Sequence, residues 1–331
     1  MSKIRPSKGA PYARIMGVGG YRPVRVVPNE VILETIDSSD EWIRSRSGIA
    51  TRHWASPEET VAAMSIEASG KAIADAGISA EQIGGVIVST VSHFKQTPAV
   101  ATEIADKLGT GKAAAFDISA GCAGFGYGLT LAKGMIVEGS AEYVLVIGVE
   151  RLSDLTDLQD RATAFLFGDG AGAVVVGPSD EPAIGPTVWG SEGDKSETIK
   201  QTVPWTEYDS SGKFPAITQE GQAVFRWAVF EMAKVAQQAL DAAGISPDDL
   251  DVFIPHQANM RIIDSMVKTL KLPDHVTVAR DVETTGNTSA ASIPLAMERL
   301  LATGQAKSGD TALVIGFGAG LVYAATVVTL P

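Results

Sequence analysis

Residues 65–88 read SIEASGKAIADAGISAEQIGGVIV, and residues 230–254 read FEMAKVAQQALDAAGISPDDLDVFI. Both stretches have the same parts in the same order: a helical pattern, an Ala-Gly-Ile-Ser stop and a β-branched apolar run. AGIS at 76–79 recurs at 243–246, and LVIG at 145–148 recurs at 313–316, so the halves share an offset of 167–168 residues. Two matches in one order and register point to an internal duplication. In each half a glycine- and serine-rich turn then opens a second amphipathic helix, followed by a further apolar strand, YVLVIGV at 143–149 and TALVIGF at 311–317. These strands carry Val and Ile without alternation, which implies sheets buried on both faces by helices. The chain therefore reads as an α/β protein of two β-α-β-α halves. The stretch 178–220, containing PSDEPAIGPTVWGSEGDKSE, differs in composition and reads as a connecting excursion.

Composition narrows the function classes. With 331 residues, 45% of them apolar, and 34 glycines, the chain suits a large α/β enzyme with many tight strand–helix turns. A net charge of −12 argues against nucleic-acid or anionic-membrane partners. The single cysteine excludes an internal disulfide, and with four histidines it leaves too few soft ligands for a structural zinc site. Residues 1–14 carry Lys3, Arg5, Lys8 and Arg14 with no apolar stretch after them, so no signal peptide is expected. No apolar run reaches the length of a membrane span, and a cytoplasmic location is the expectation.

Cys122 lies in DISAGCAGFGYGLTLAKGMI (117–136), just before apolar residues at 125, 129, 132 and 136 on one helical face. The thiol is thus expected at a helix N-terminus, where unpaired N–H groups and the dipole lower a cysteine pKa. Gly121 and Gly124 leave backbone room beside the sulfur, which favours a nucleophile over a buried filler. His256 follows the apolar run DVFIP (251–255) and opens HQANMRIIDSMV, whose apolar positions 260, 263, 266 and 267 recur at helical spacing. A histidine at a strand's C-terminal end lies where α/β enzymes build their sites, although alone it reads more readily as a satisfied structural residue. Asn287, in TTGNTSAASIPLAMERLL (284–301), falls in the turn that the repeat offset matches to that of Cys122. Asn there reads as an N-cap or, with the other two, as part of a site. GFGAGL (316–321) follows a strand and serves either to aim N–H groups at an oxyanion or as a tight turn. GDGAGA (168–173) leads into a strand and not a helix, so it reads as a structural turn.

Together, SAGCAGF, PHQAN, GNTSAAS and GFGAG resemble the β-ketoacyl-[acyl-carrier-protein] synthase III family of the thiolase superfamily, in order and spacing, over nearly the whole chain. The chain lacks the second reactive cysteine of thiolases, and Asn287 stands where elongating ketosynthases carry a second histidine. The resemblance implies a five-layered α-β-α-β-α core, with a nucleophile half (1–183) and a His/Asn half (184–331). It also implies decarboxylative condensation of an acyl-CoA with malonyl-acyl-carrier protein, with no cofactor and no metal. In that scheme Cys122 carries the acyl group, and the N–H groups of Cys122 and Ala319 hold its oxyanion. His256 and Asn287 then hydrogen-bond the malonyl thioester oxygen.

By position, Trp42, Arg46, Arg161 and Asn259 match coenzyme A contacts. SSDE (38–41) independently reads as a capping box. Arg226, Arg261 and Lys268, with Lys271 nearby, match the basic face that docks the acidic carrier protein, although both lysines read equally as solvated surface. Phe125 and Phe317 are expected beside the acyl group, and Thr97 replaces a bulky phenylalanine at the end of the primer pocket. That last residue reaches the pocket of the other subunit, so the resemblance implies a homodimer. A small Thr97 is expected to admit short branched primers as well as acetyl. Competing readings are an acyltransferase or thioester hydrolase with another acceptor, and a non-catalytic acyl-CoA-binding homologue. An intact Cys-His-Asn set argues against the latter.

Overall fold

Each Ala-Gly stop ends a helix as expected, with Gly77 and Gly244 in the left-handed region at φ 67° and 73°. A 3₁₀ turn opened by a reciprocal Ser cap follows in both halves, at Ala80–Gln82 and Pro247–Asp249. The computed structural model describes residues 4–210 and 212–331, so Lys3 lies outside the described residues.

In the first half the order is β1 (Tyr12–Tyr21), β2 (Arg25–Pro28), α1 (Asn29–Leu33), α2 (Asp40–Ser47), β3 (Thr51–Trp54), α3 (Val61–Asp75), β4 (Ile83–Ser89) and α4 (Val100–Leu108). It continues with β5 (Ala114–Ile118), α5 (Gly124–Glu138), β6 (Tyr143–Arg151) and β7 (Asp169–Ser179). The second half has β8 (Val188–Ser191), β9 (Ile199–Gln201), β10 (Ile217–Gln219), α6 (Gly221–Ala243), β11 (Val252–Pro255) and α7 (Met260–Leu270). After these come β12 (Thr277–Val278), α8 (Val282–Thr285), α9 (Ser292–Ala302), β13 (Thr311–Gly318) and β14 (Val322–Thr329).

The duplication is visible in the sheets. One runs β5-β4-β6-β7-β1 and the other β12-β11-β13-β14-β8, the same order of parts, and the shared offset brings β4 onto β11 and β6 onto β13. In both, the two strands flanking β4 or β11 run parallel to it, and the remaining pairings are antiparallel. One apolar cluster joins Phe125, Leu129 and Ile136 of α5 and Ile293, Met297 and Leu300 of α9 to strand residues of both sheets. Helices α3 and α4 cover the outer face of the first sheet, and α6 and α7 that of the second. The layers are thus α-β-α-β-α, as expected. The central layer is tight: a Cβ on Gly126 would meet Ala324 of one sheet at 2.8 Å, and one on Gly128 would meet Val146 of the other at 2.8 Å. Its two helices point their N-terminal turns, Gly121–Ala123 and Ser289–Ala291, at the middle of the molecule.

Three expectations change. GDGAGA is not a turn, because β7 already begins at Asp169. Its glycines answer to packing, since a Cβ at Gly172 would lie 2.7 Å from Pro294 of α9. The excursion is partly ordered: β8 pairs with β14, and β9 and β10 pair with each other. The SSDE capping box does not form. Ser39 is the N-cap, accepting the N–H of Trp42, which stands where a box requires Glu or Gln. Among the described residues, no helix is long and apolar enough to cross a membrane, and no group of three metal-ligating side chains gathers.

Candidate active site

Cys122 sits in the 3₁₀ turn between β5 and α5. Gly121 there has φ 47°, and a Cβ on it would lie 3.2 and 3.3 Å from the carbonyl O and N of Ala319. Glycine is required both for the left-handed backbone and for this close approach. Gly318 is equally constrained, because a Cβ would fall 2.8 Å from Sγ. With these glycines the Gly318–Ala319 backbone packs against the sulfur, and the N–H groups of Cys122 and Ala319 act to lower the thiol pKa. The expected acidic thiol is not what the surroundings produce. Burial pushes the Cys122 thiol up to about 12; Ser289 and the two N–H groups oppose the rise, and the nearby Glu150 charge adds to it. Desolvation outweighs the helix start, so the resting group is the thiol.

His256 emerges from the end of β11, its N–H bonded to the carbonyl of Ile315 on β13 at 2.7 Å. Its ring is buried and meets Phe317 edge-on, with centroids 5.4 Å apart. Nδ1 lies 2.7 Å from Oγ of Ser292, the first residue of α9. That hydroxyl oxygen also accepts the N–H of Gln257 at 3.3 Å, which directs its hydrogen at Nδ1. With Ser292 as the donor to Nδ1, the ring proton lies on Nε2. Burial lowers the imidazole pKa to about 3, so the ring is neutral at physiological pH.

Asn287 lies just before the turn of α9. Its backbone is pinned by Asn287 N–H to Leu166 O at 2.9 Å and Gly168 N–H to Asn287 O at 3.0 Å. Oδ1 accepts the N–H of Ser289 at 2.8 Å. The Asn287 side chain thus closes a turn onto Ser289 while lining the cavity. Because that contact uses the carbonyl end, the NH₂ end is left to face the cavity that Asn287 lines.

Cys122, His256 and Asn287 all line one cavity of about 190 Å³. Its apolar wall includes Val91, Leu152, Leu155, Phe167, Trp227 and Phe317. Ile199 and Ile217 of the β9–β10 ribbon complete it, a contribution the sequence reading missed. Phe317 is where it was expected. Phe125 is not: it is fully buried in the central helix layer with Leu129 and Ile136, because at the start of α5 its side chain points between the sheets. Thr97 is exposed in the segment before α4 and does not line its own chain's cavity.

A second cavity of about 490 Å³ adjoins the first, sharing Asn287, Ala258, Ile262, Gln219 and Val224 with it. Trp42, Arg46 and Asn259 line it, together with Arg226 and Arg261. The guanidinium of Arg161 lies 4.8 Å over the Trp42 ring and that of Arg46 at 5.8 Å, so an aromatic plane flanked by cations forms. The Asn259 amide is engaged within the protein: Oδ1 caps α7 at Arg261 N, and Nδ2 donates to Arg46 O at 3.0 Å. Arg261 covers Phe225 at 4.9 Å. Arg226, Arg261, Lys268 and Lys271 are all exposed, with Lys268 on α7 two turns beyond Arg261. Asp264 between them pairs with Arg280 at 2.7 Å.

Sequence reasoning passed over Ser289, Ser292, Gln257 and Glu150. Glu150 had a signal, as a lone carboxylate at the end of the apolar run YVLVIGV. The side chain of Gln257 donates to Pro255 O and Ala279 O and accepts from Val282 N, which fixes the loop carrying His256.

Comparison with known proteins adds the following. Residues 116–193 match the family described as 3-oxoacyl-[acyl-carrier-protein (ACP)] synthase III, and residues 240–330 match its C-terminal counterpart. The beta-ketoacyl-[acyl-carrier-protein] synthase III of Streptomyces glaucescens is 90% identical, covering 100% of both chains. The crystal structure of the priming β-ketosynthase from the R1128 polyketide biosynthetic pathway superposes with a TM-score of 0.97 at 46% identity, covering 100% of this chain and 99% of that one. The 3-oxoacyl-[acyl-carrier-protein] synthase III of Aquifex aeolicus gives 0.88 at 38% identity, covering 96% and 99%.

Proposed function

The chain belongs to the 3-oxoacyl-[acyl-carrier-protein] synthase III family, and from that premise we propose how its residues carry out the family's reaction. The protein is a condensing acyltransferase that joins an acyl-CoA primer to malonyl-acyl-carrier protein and initiates fatty-acid synthesis. The observation that carries the residue assignment is the convergence of Cys122, His256 and Asn287 on one cavity, with two backbone N–H groups at the sulfur.

In this reading the Cys122 sulfur attacks the primer's thioester carbon, and the N–H groups of Cys122 and Ala319 hold the developing oxyanion. The C–S bond to coenzyme A breaks and the CoA thiolate leaves. Malonyl-acyl-carrier protein follows, its thioester oxygen accepting hydrogen bonds from His256 Nε2 and Asn287 Nδ2. Loss of CO2 sends its electron pair into an enolate stabilised by these donors, neither of which needs to surrender a proton. The enolate carbon attacks the acyl-Cys122 carbonyl, and the cysteine thiolate departs from the 3-oxoacyl product. The apolar wall keeps water from the acyl-enzyme.

Trp42 and Arg46 hold the coenzyme A end in the second cavity with Arg161 stacked on Trp42, and Asn259 ties α7 to α2 beside it. Arg226, Arg261 and Lys268 present the basic face to the carrier protein. The halves divide at 183/184: β7 ends at Ser179, and Ile184 already bridges to Val328. We place the protein in the cytoplasm as a homodimer in which each Thr97 faces the partner's primer cavity. Thr97→Phe then narrows primer use from isobutyryl toward acetyl, read as the ratio of kcat/KM values. An unchanged ratio refutes that placement. The reaction itself is tested by mixing protein, acyl-CoA and malonyl-acyl-carrier protein. One CoA and one CO2 are expected per 3-oxoacyl product, and CoA release without CO2 would identify a hydrolase or another acyltransferase.

A further inference from the structure

Glu150 is a fully buried carboxylate that the reaction sequence above leaves unused. It lies near the end of β6, and a ring of donors is built around it. Oε2 accepts from Ser92 Oγ at 2.6 Å, from Val91 N–H at 3.1 Å and from Thr90 Oγ1 at 3.3 Å. Ser92 Oγ in turn accepts Arg151 N–H at 2.7 Å, so its own hydrogen is committed to the carboxylate. Ser289 stands between this group and the nucleophile: it lines the cavity beside Cys122, its turn lies against the β6 face that carries Glu150, and its side chain acts on the ionisation of both groups. The backbone explains the reach. The turn Ser289–Ala291 lies directly on β6, since a Cβ at Gly148 would fall 2.1 Å from Ala290 O. Ser289 also holds φ 47°, a strained conformation that persists only where the surroundings over-determine it.

We propose that Glu150 is the proton acceptor for the Cys122 thiol, reached through the hydroxyl of Ser289. The inference rests on Cys122 being the nucleophile. The rival acceptor, His256, is poorly suited: its Nδ1 is taken by Ser292, and burial makes the ring too weak a base at neutral pH. Glu150 is better matched, because burial raises its carboxyl to about 7. Among charged neighbours, Arg151 pairs with Asp154 at 2.9 Å. Asp169 on β7 is held by Ala55 N–H and Ser153 and faces them instead. No charged side chain comes from Thr90–Ser92 or Ser289–Ala291, and Cys122 is the titratable group across the turn.

The proton balance closes over one turnover. As the sulfur bonds to the primer carbonyl carbon, the thiol proton passes to Ser289 Oγ while the Ser289 hydroxyl proton passes to Glu150. Coenzyme A leaves as its thiolate and takes a proton from solvent. When the enolate displaces Cys122 in the condensation, the departing thiolate recovers its proton from Glu150 by the reverse path.

The test is the single-turnover rate of acyl loading onto Cys122 from acyl-CoA, read by mass across about pH 5.5–9, alongside malonyl-acyl-carrier protein decarboxylation. Wild-type loading is expected to rise through an inflection near 7, where Glu150 ionises. Glu150→Gln and Ser289→Ala each lose that inflection and load about 100-fold more slowly or worse, with decarboxylation unchanged. Glu150→Asp restores part of the rate. Removing a charge that raises the thiol pKa would, by electrostatics alone, speed loading. Faster or unchanged loading in Glu150→Gln therefore overturns the relay, as does an equal fall in decarboxylation. If Glu150→Gln does not fold, Ser289→Ala decides the matter, because it leaves the carboxylate in place. Absence of any wild-type adduct on Cys122 overturns the nucleophile assignment and the relay with it, a result distinct from relay failure alone.

Discussion

Asn287→Asp separates the two tasks assigned to one amide. The carboxylate keeps an oxygen for the N–H of Ser289, the 2.8 Å contact that closes the turn before α9, so the fold is expected to survive. It loses the NH₂ that faces the cavity. Removing one such donor costs about 100- to 1,000-fold, or about 2.7–4 kcal/mol of transition-state stabilisation, and a negative charge beside the enolate adds to that. Asn287→Ala removes both the donor and that contact, whose loss costs about 0.5–2 kcal/mol of stability. At about 2.1 cal/mol/K per residue, 331 residues give an unfolding entropy of roughly 0.7 kcal/mol/K, so that loss lowers Tm by about 1–3 °C. The assays are CO2 release from malonyl-acyl-carrier protein, acyl loading of Cys122, and thermal unfolding. Decarboxylation is expected to fall at least about 100-fold in both variants, loading to persist in both, and Tm to drop only in the alanine variant. Undiminished CO2 release from Asn287→Asp, or a parallel collapse of loading, would refute the reasoning.

Further outcomes follow from the same geometry. Phe125→Ala empties a fully buried site between the sheets and should cost about 3–5 kcal/mol in denaturant unfolding, while the ratio of acetyl to isobutyryl loading stays constant. A changed ratio would return Phe125 to the primer cavity. His256 has a pKa lowered to about 3, from an ordinary value near 6.5. Below pH about 6.5 the unfolded chain therefore takes up a proton that the folded one refuses, and stability is lost as pH falls toward 3. Unfolding free energies of wild type and His256→Ala, compared over that range, should show the steeper acid loss in wild type; parallel curves would mean the ring is not held neutral.

The architecture was legible because the duplication leaves copies of AGIS and LVIG whose shared offset brings β4 onto β11 and β6 onto β13, the parallel pairs of the two sheets. The same offset placed the turns of Cys122 and Asn287 opposite each other, and His256 followed from its place at a strand end. Residues whose role depends on a contact across the fold stayed hidden. Ser292 is one more serine in SAAS until α9 brings it under His256, and Ser289 matters because its turn lies on β6. Periodicity put Phe125 on the correct helical face but could not say that this face points between two sheets and away from the cavity three residues from Cys122. The thiol acidity was misjudged for a related reason: a helix start is visible in sequence, whereas the desolvation that outweighs it is a property of the assembled site. The β9–β10 ribbon gave no hint of facing the cavity, since its short strands lie in the Pro- and Gly-rich excursion.

The central claim is that Cys122 carries the acyl group between two thioesters, and the mass of the peptide containing Cys122 tests it most directly. After incubation with acetyl-CoA or isobutyryl-CoA that peptide should gain the mass of one acyl group, and it should return to its original mass when malonyl-acyl-carrier protein is added and CO2 appears. A peptide that never gains mass, or an adduct that malonyl-acyl-carrier protein leaves untouched, would contradict the account.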